Sequence, residues 1–225
     1  MADCLVIAVD GPSGSGKTSA ARGAAHALGL RYLDTGAMYR ALTWWLLARQ
    51  VDVHSAAAVA AHAAHPAIEV GTDPGGPYTT VDGADVSGPI RERTVSNAVS
   101  AVASVPEVRG HLIARQREII AKACAEAGGI VAEGRDIGTV VAPDAAVKVF
   151  LTASEAARAR RRTAELVTDP AVTVELTQAE QARRDQLDAA QSEPAAGAVL
   201  IDSTRLGVAE VTAEIVAMAQ AVDQA

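Results

Sequence analysis

Gly11-Pro12-Ser13-Gly14-Ser15-Gly16-Lys17-Thr18 follows the phosphate-binding pattern G-x-x-x-x-G-K-[ST], and its flanks give the pattern physical context. Before it, Cys4-Leu5-Val6-Ile7-Ala8-Val9-Asp10 is short, apolar and rich in β-branched residues, as a buried strand should be. After it, Ser19 to Leu28 is rich in alanine and other helix formers, with Gly29 as a C-terminal stop. Glycines let the backbone curl closely around a polyphosphate so that several N–H groups point inward. The start of the helix adds partial positive charge. In this pattern Lys17 reaches the β- and γ-phosphates, and the Thr18 hydroxyl joins the Mg²⁺ shell. The stretch implies a site for a nucleoside triphosphate, with Gly11 to Ser19 as its binding residues.

The rest of the chain sets bounds on that site. Its 225 residues suit one well-packed domain, or a core with a small insertion. Hydrophobic residues make up 49% and charged residues 21%, the balance of an ordinary globular protein. A formal net charge of −7 argues against nucleic acid or an anionic membrane as partner, so any anionic ligand must be held by clustered arginines. Aromatic residues make up only 3%, too few for a base-stacking platform. No apolar run approaches a membrane span and no basic leader precedes the first strand. Cys4 and Cys124 are the only cysteines, which argues against a disulfide framework and predicts a reducing, cytoplasmic setting.

Patterning predicts an α/β fold with a parallel sheet flanked by helices. Arg31 to Asp34 reads as a short strand, Met38 to Gln50 as a helix and Ser55 to Ala64 as a helix capped by Ser55. Trp44 and Trp45 are expected to serve packing, one buried and one partly exposed. His62 and His65 have metal-compatible spacing but no third partner, and read as surface histidines. Ala67–Val70, Tyr78–Val81 and Ala84–Val86 read as three short strands, the last two joined by the hairpin signal Asp82-Gly83. Helices follow over Arg91 to Val102 and from Pro106 to Glu126, the second stopped by Gly128-Gly129. Strands then recur at Ile130–Glu133, Ala146–Leu151 and Ala198–Asp202. Helices occupy Ser154 to Leu166, Thr177 to Ala190 and Val208 to Val222. This divides the chain into a core (1–65 and 106–225), an antiparallel insertion (66–105) and a lid region (156–185).

A phosphate-binding loop alone names no reaction; the arginines narrow it. Arg158, Arg160, Arg161 and Arg162 crowd one helix and Arg183 and Arg184 the next, around a polar loop with Asp169-Pro170. Such a cluster in an acidic chain fits a lid that closes over phosphates and excludes water. It equally fits a solvated helix face with pairs such as Arg158–Glu155 or Arg161–Glu165. Glu133 ends an apolar strand, where a carboxylate can hold the Mg²⁺ shell through water. Arg135 can then take a phosphate, and Asp136 can accept hydrogen bonds from a base or sugar. A salt-bridged Glu133–Arg135 strand exit is the alternative.

Five segments together resemble the bacterial cytidylate kinase family over essentially the full length. They are Asp10 to Lys17, Leu33-Asp-Thr-Gly-Ala-Met-Tyr-Arg40, Asp85-Val-Ser-Gly-Pro-Ile-Arg91, Glu133-Gly-Arg-Asp-Ile-Gly-Thr139 and Ala182-Arg-Arg-Asp185. The resemblance implies a phosphate-loop kinase fold in which the insertion binds the nucleoside monophosphate. It implies Mg²⁺-dependent phosphoryl transfer from ATP to CMP or dCMP, with Lys17, Arg135, Arg158 and Arg162 as the catalytic charges. Thr35, Tyr39 and Arg40 would hold the acceptor's phosphate; Ser100, Arg109 and Asp136 would read cytosine. Arg135 would bridge toward the phosphates, Arg184 and Asp188 would contact ribose and phosphate, and Arg161 would lie over ATP. Thr18 and Glu133 would serve the metal, and the expected state is a monomer. The segment after Asp188, Ala189-Ala190-Gln191-Ser192-Glu193-Pro194, departs from the family by lacking a further arginine. A kinase with another acceptor and a nucleotide-binding protein that has lost catalysis are the competing functions.

Overall fold

In the computed structural model of the chain, residues 4–165 and 173–222 are described. Asp169-Pro170 and the expected end of the preceding helix at Leu166 lie outside the described residues. The elements run β1 (Leu5–Asp10), α1 (Lys17–Leu28), β2 (Arg31–Asp34), α2 (Thr35–Ala48), α3 (Ala56–Ala60), β3 (Ile68–Val70), β4 (Thr79–Val81) and β5 (Ala84–Asp85). After a 3-10 turn at Pro89–Arg91 come α4 (Arg93–Ala103), α5 (Pro106–Ala127) and β6 (Gly129–Gly134). A π-helical turn at Ile137–Val141 leads to β7 (Val147–Thr152), α6 (Glu155–Glu165), α7 (Val174–Asp188), a 3-10 turn at Ala189–Gln191, β8 (Val199–Asp202) and α8 (Val208–Val222).

Five parallel strands in the order β2-β6-β1-β7-β8 form the main sheet. Because strand side chains alternate faces, Ile7 and Val9 pack with α1 and α8 on one side, while Ala8 joins α2, α4 and α5 on the other. On its buried face α1 presents only alanines beside Lys17, namely Ala20, Ala21, Ala24 and Ala25, so it can lie close to the sheet. The connection from β1 crosses to β2 on one side of the sheet, whereas β6 is followed by β7 on the other side of β1. A reversal of this kind opens a crevice at the carboxyl ends of the strands. The loop after β1 and the exit of β6 both border it.

Within the expected insertion, β3, β4 and β5 make a separate antiparallel sheet. Asp82 and Gly83 both take positive φ, at 51° and 82°, the conformation of a two-residue hairpin turn. The Asp82 carboxylate accepts from Trp45 Nε1 at 2.8 Å and from the Ala67 N–H at 2.9 Å, tying the hairpin to α2. Trp45 is buried and Trp44 half-buried, as expected. His62 and His65 touch each other at 2.9 Å between their Nδ1 atoms, beside the Trp45 ring.

The structure corrects several boundaries. α2 begins at Thr35 rather than Met38, because the Asp34 side chain accepts the Ala37 N–H at 2.8 Å and caps the helix earlier. α3 is capped by Ser55 as expected, yet ends at Ala60 rather than Ala64. α7 starts at Val174, capped by Thr173, three residues ahead of the predicted Thr177. The cysteines overturn their expectation. Cys4 and Cys124 form a disulfide, with Cα atoms 5.1 Å apart. Pairing of Leu5 with Gly129 sets the start of β1 beside the last turn of α5, a proximity hidden by a sequence separation of 120. With both cysteines bonded, the cysteine count no longer argues for a reducing compartment. No helix among the described residues is long and apolar enough to cross a membrane.

Candidate active site

The end expected to take the donor is built by the turn between β1 and α1. Gly14 and Gly16 take φ values of 77° and 90°, where a side chain is strained. A Cβ on Gly14 would also meet Gln181 Nε2 at 2.7 Å and the Arg158 carbonyl at 2.9 Å. Gly16 occupies the N-cap position of α1 without supplying a side-chain cap, so the first amides of the helix remain available to an anion. Helix α1 thus begins inside the motif, at Lys17 rather than Ser19. Lys17 is buried and donates to the Pro12 carbonyl at 3.1 Å. Burial, reinforced by the Arg135 guanidinium, pushes its ammonium down to about 7. Negative charge placed beside it, such as that of a polyphosphate, would favour its protonated form.

Beneath the loop lies a carboxylate-rich floor. Asp10, at the end of β1, accepts the Ile137 and Gly138 N–H groups, both at 2.8 Å. Burial nonetheless raises its carboxyl above the usual range. These bonds hold the π-helical turn against β1 and so fix where Arg135 and Asp136 emerge from β6. Glu133, 2% exposed, accepts from the Tyr32 hydroxyl at 2.7 Å and is also bonded by Thr18. Burial first, and the Asp34 charge second, raise its pKa. Paired with Tyr32 and Thr18, Glu133 does not form the strand-exit salt bridge with Arg135. Among the described residues no three or more His, Cys, Asp or Glu side chains converge on one point. The Thr18 hydroxyl and Glu133 carboxylate are instead a partial set of hard oxygen donors, suited to a Mg²⁺ ion whose other ligands are phosphate and water oxygens. The residues fit that ion.

The end expected to take the acceptor is assembled from distant segments. Asp34 caps α2 and binds Arg40 Nη2 at 2.8 Å, with Arg91 Nη2 at 3.7 Å. Burial works against the Asp34 charge, but these arginines hold its carboxyl below the usual range. Thr35 donates to the Glu133 carbonyl at 2.7 Å, joining β2 to β6. Arg135 donates from Nη1 to the Gly11 carbonyl at 2.9 Å and from Nε to Asp188 at 3.2 Å, bridging loop and acceptor side. Arg109 pairs with Asp136, and burial notwithstanding, that bond raises the arginine's pKa. Ser100 Oγ and Arg184 Nε are buried and have no partner among the described residues. Burial, then repulsion from Arg135, lowers the Arg184 guanidinium to about 10. Burial likewise raises the Tyr39 phenol to about 12.

One cavity of about 290 Å³ unites the two ends. Its wall includes Ser13, Gly14, Gly16 to Ser19, Thr35, Tyr39, Arg40, Ser100, Arg109, Glu133, Arg135, Asp136, Arg162, Arg184 and Asp188. Seven cationic side chains and four carboxylates line it, a local excess of positive charge in an acidic chain. The helical-lid arginines divide. Arg162 lines the cavity and donates to Ser96 Oγ at 3.1 Å. Arg158 and Arg161 stay outside the wall, as do Gly11, Pro12 and Ser15. Arg158 pairs with Asp185 at 2.6 Å and reaches the Ser13 carbonyl at 3.2 Å. Arg161 donates to the Ser203 carbonyl at 2.5 Å and lies 3.5 Å from that of Ser15. These contacts brace the back of the loop and are not pairs along a solvated helix face. Arg93 on α4 grips Glu180 on α7 at 2.7 Å, so the lid helices are docked on the insertion.

Sequence reasoning missed Tyr32, Asp34, Arg91, Asp185 and Gln191 as site residues. Asp34 had a legible signal, since Asp-Thr-Gly-Ala is a helix-start signature. Gln191 had none. It follows α7 where the family resemblance led to an arginine, and its Oε1 accepts from Arg109 Nη1 at 3.0 Å.

The profile of the family Cytidylate kinase matches residues 7–221 of the chain. Among curated relatives, the cytidylate kinase of Streptomyces griseus is 57% identical over 162 residues, covering 72% of this chain and 69% of that one. That of Streptomyces coelicolor is 47% identical over 223 residues, covering 97% and 94%. The cytidylate kinase of Geobacillus kaustophilus is 46% identical over 216 residues, covering 94% of both.

Proposed function

The chain belongs to the cytidylate kinase family, and on that premise we propose that it transfers the γ-phosphoryl group of ATP to CMP or dCMP, yielding ADP and the diphosphate. The observation that carries this reading is one cavity lined both by Ser13, Gly14 and Gly16 to Ser19 of the phosphate-binding turn and by Ser100, Arg109 and Asp136. Between them stand Arg40, Arg135, Arg162 and Arg184. The donor's tail lies on the α1 amides and Lys17, and the acceptor's phosphate on Arg40, Arg135 and Arg184, with Thr35 and Tyr39 beside it. Asp188 takes the ribose side. No covalent intermediate is required, because phosphoryl transfer is promoted by alignment and by neutralising charge on the equatorial oxygens. Lys17 and Arg135 supply that charge from the floor, and Arg162 from the lid. Arg158 and Arg161 act by holding the loop and lid in register.

Thr18 directly, and Glu133 through water, would hold Mg²⁺. The ion would supply further neutralisation of the charge on the donor's phosphates. Docking of α6 and α7 on α4 shields the transferring group from water, the competing acceptor. The base edge is met by buried polar groups, so a base with the wrong donors and acceptors leaves them unpaired. A coupled ADP-release assay across CMP, dCMP, UMP, AMP and GMP tests the assignment. Preference for CMP and dCMP is expected; preference for AMP, GMP or a non-nucleotide acceptor overturns it.

A further inference from the structure

Gln191 ends the 3-10 turn that follows α7, and it reaches across the cavity to α5. There it shares a guanidinium with a carboxylate. Arg109 gives Nη2 to Asp136 Oδ2 and Nη1 to Gln191 Oε1 at 3.0 Å. All three side chains line the cavity. Arg109 is a long side chain in the second turn of α5, and one anchor leaves its plane free to rotate about that contact. Two anchors at opposite corners define the plane.

The second anchor also decides what Asp136 can do. An arginine facing an unencumbered carboxylate favours the bidentate fork, with two nitrogens on two oxygens. Here Nη1 is held by the glutamine amide, and Arg109 takes Asp136 through Oδ2 only. With Nη1 held, the fork through Nη1 and Nη2 is closed, and Nε makes no bond to Asp136, so Oδ1 stays outside the pair and can accept from an amino group on a base. Cytosine presents such a donor; uracil has a carbonyl oxygen at that place. The amide is also neutral. A carboxylate at 191 would anchor Arg109 equally well, but would add negative charge near Arg135 and Arg184, where the acceptor's phosphate is held.

We propose that Gln191 is a positioning residue for acceptor selection: by holding Arg109 out of a bidentate pair with Asp136, it keeps Asp136 free to recognise an amino-pyrimidine. The proposal rests on the acceptor assignment made above. It is tested with the full chain at saturating ATP, comparing kcat/KM for CMP and UMP in the wild type, Gln191→Leu and Gln191→Glu. Leucine removes the acceptor atom, so the CMP-to-UMP ratio should fall roughly tenfold, mainly through KM for CMP, with KM for ATP unmoved. Glutamate restores the anchor, so the ratio should return towards the wild-type value while both monophosphates bind several-fold more weakly. Should leucine lower the melting temperature, Gln191→Met gives the same loss of acceptor at matched length. A ratio unchanged by leucine or methionine overturns the proposal, and so does equal loss of selectivity with glutamate. A wild type that does not prefer CMP overturns the acceptor assignment itself, a result read before any variant is made.

Discussion

At the end of the cavity proposed for the donor, eight consecutive residues from Gly11 to Thr18 supply the loop, the start of the helix, the lysine and the Thr18 hydroxyl. At the acceptor end, Arg40 comes from α2, Ser100 from α4, Arg109 from α5, Asp136 from the exit of β6, and Asp188 from α7. In the proposed reaction the two ends take chemically related ligands, yet they are specified at different ranges. A phosphate tail needs backbone N–H groups pointing to a common centre, which a short glycine-rich turn before a helix provides locally. A base edge needs a particular pattern of donors and acceptors on fixed axes, which several rigid elements must bring together. The donor end is therefore robust to changes elsewhere, and the acceptor end depends on tertiary placement at every residue.

The sharpest way to break this contrast is Lys17→Ala. Loss of the charge facing the transferring phosphoryl should lower kcat by about 10³-fold or more, while CMP affinity measured by calorimetry stays within a few-fold. A parallel collapse in CMP binding would show that the ends are not separable. Next in size, Arg40→Ala removes a charge that Asp34 holds and that the proposed function assigns to the acceptor's phosphate. KM for CMP should rise about tenfold to a hundredfold, with KM for ATP unchanged; steady-state kinetics in both substrates would show it, and unaltered CMP affinity would exclude the role. The smallest effect on catalysis is expected from Cys124→Ser. Opening the Cys4–Cys124 bridge should cost about 2–4 kcal/mol of stability, read as a lower melting temperature, with kcat/KM for both substrates preserved. Altered acceptor kinetics would instead reveal that the bridge end of α5 communicates with Arg109, fifteen residues and about four turns away.

Legibility from sequence follows the same division. The loop, the Asp82-Gly83 hairpin and α8 were readable because each is set by neighbours within a few residues. Glycine conformations and apolar periodicity carry that information directly. Boundaries failed where a side chain captured a backbone group that composition does not reveal, as Asp34 does for α2 and Thr173 for α7. The π-helical turn at Ile137–Val141 was not legible at all, since Asp10, far away in the chain, holds its first amides. Residue resemblance brought Ser100, Arg109 and Asp136 to notice, but it carried no sign that Gln191 would touch Arg109.

What the amino-acid sequence determined by itself was the phosphate-binding turn, the alternation of strands and helices, and the family. The first two rest on local sterics, capping and hydrophobic period, which act over one or two turns of chain, and the family on the residues of five segments that resemble it. Only the tertiary structure decided that Arg158 and Arg161 brace the loop from outside the cavity, that the two cysteines meet, and that Arg109 is divided between Asp136 and Gln191. Partners across the sheet and across the lid are chosen by distance in space, and a guanidinium or a thiol carries in its own sequence neighbourhood no record of which distant group will reach it.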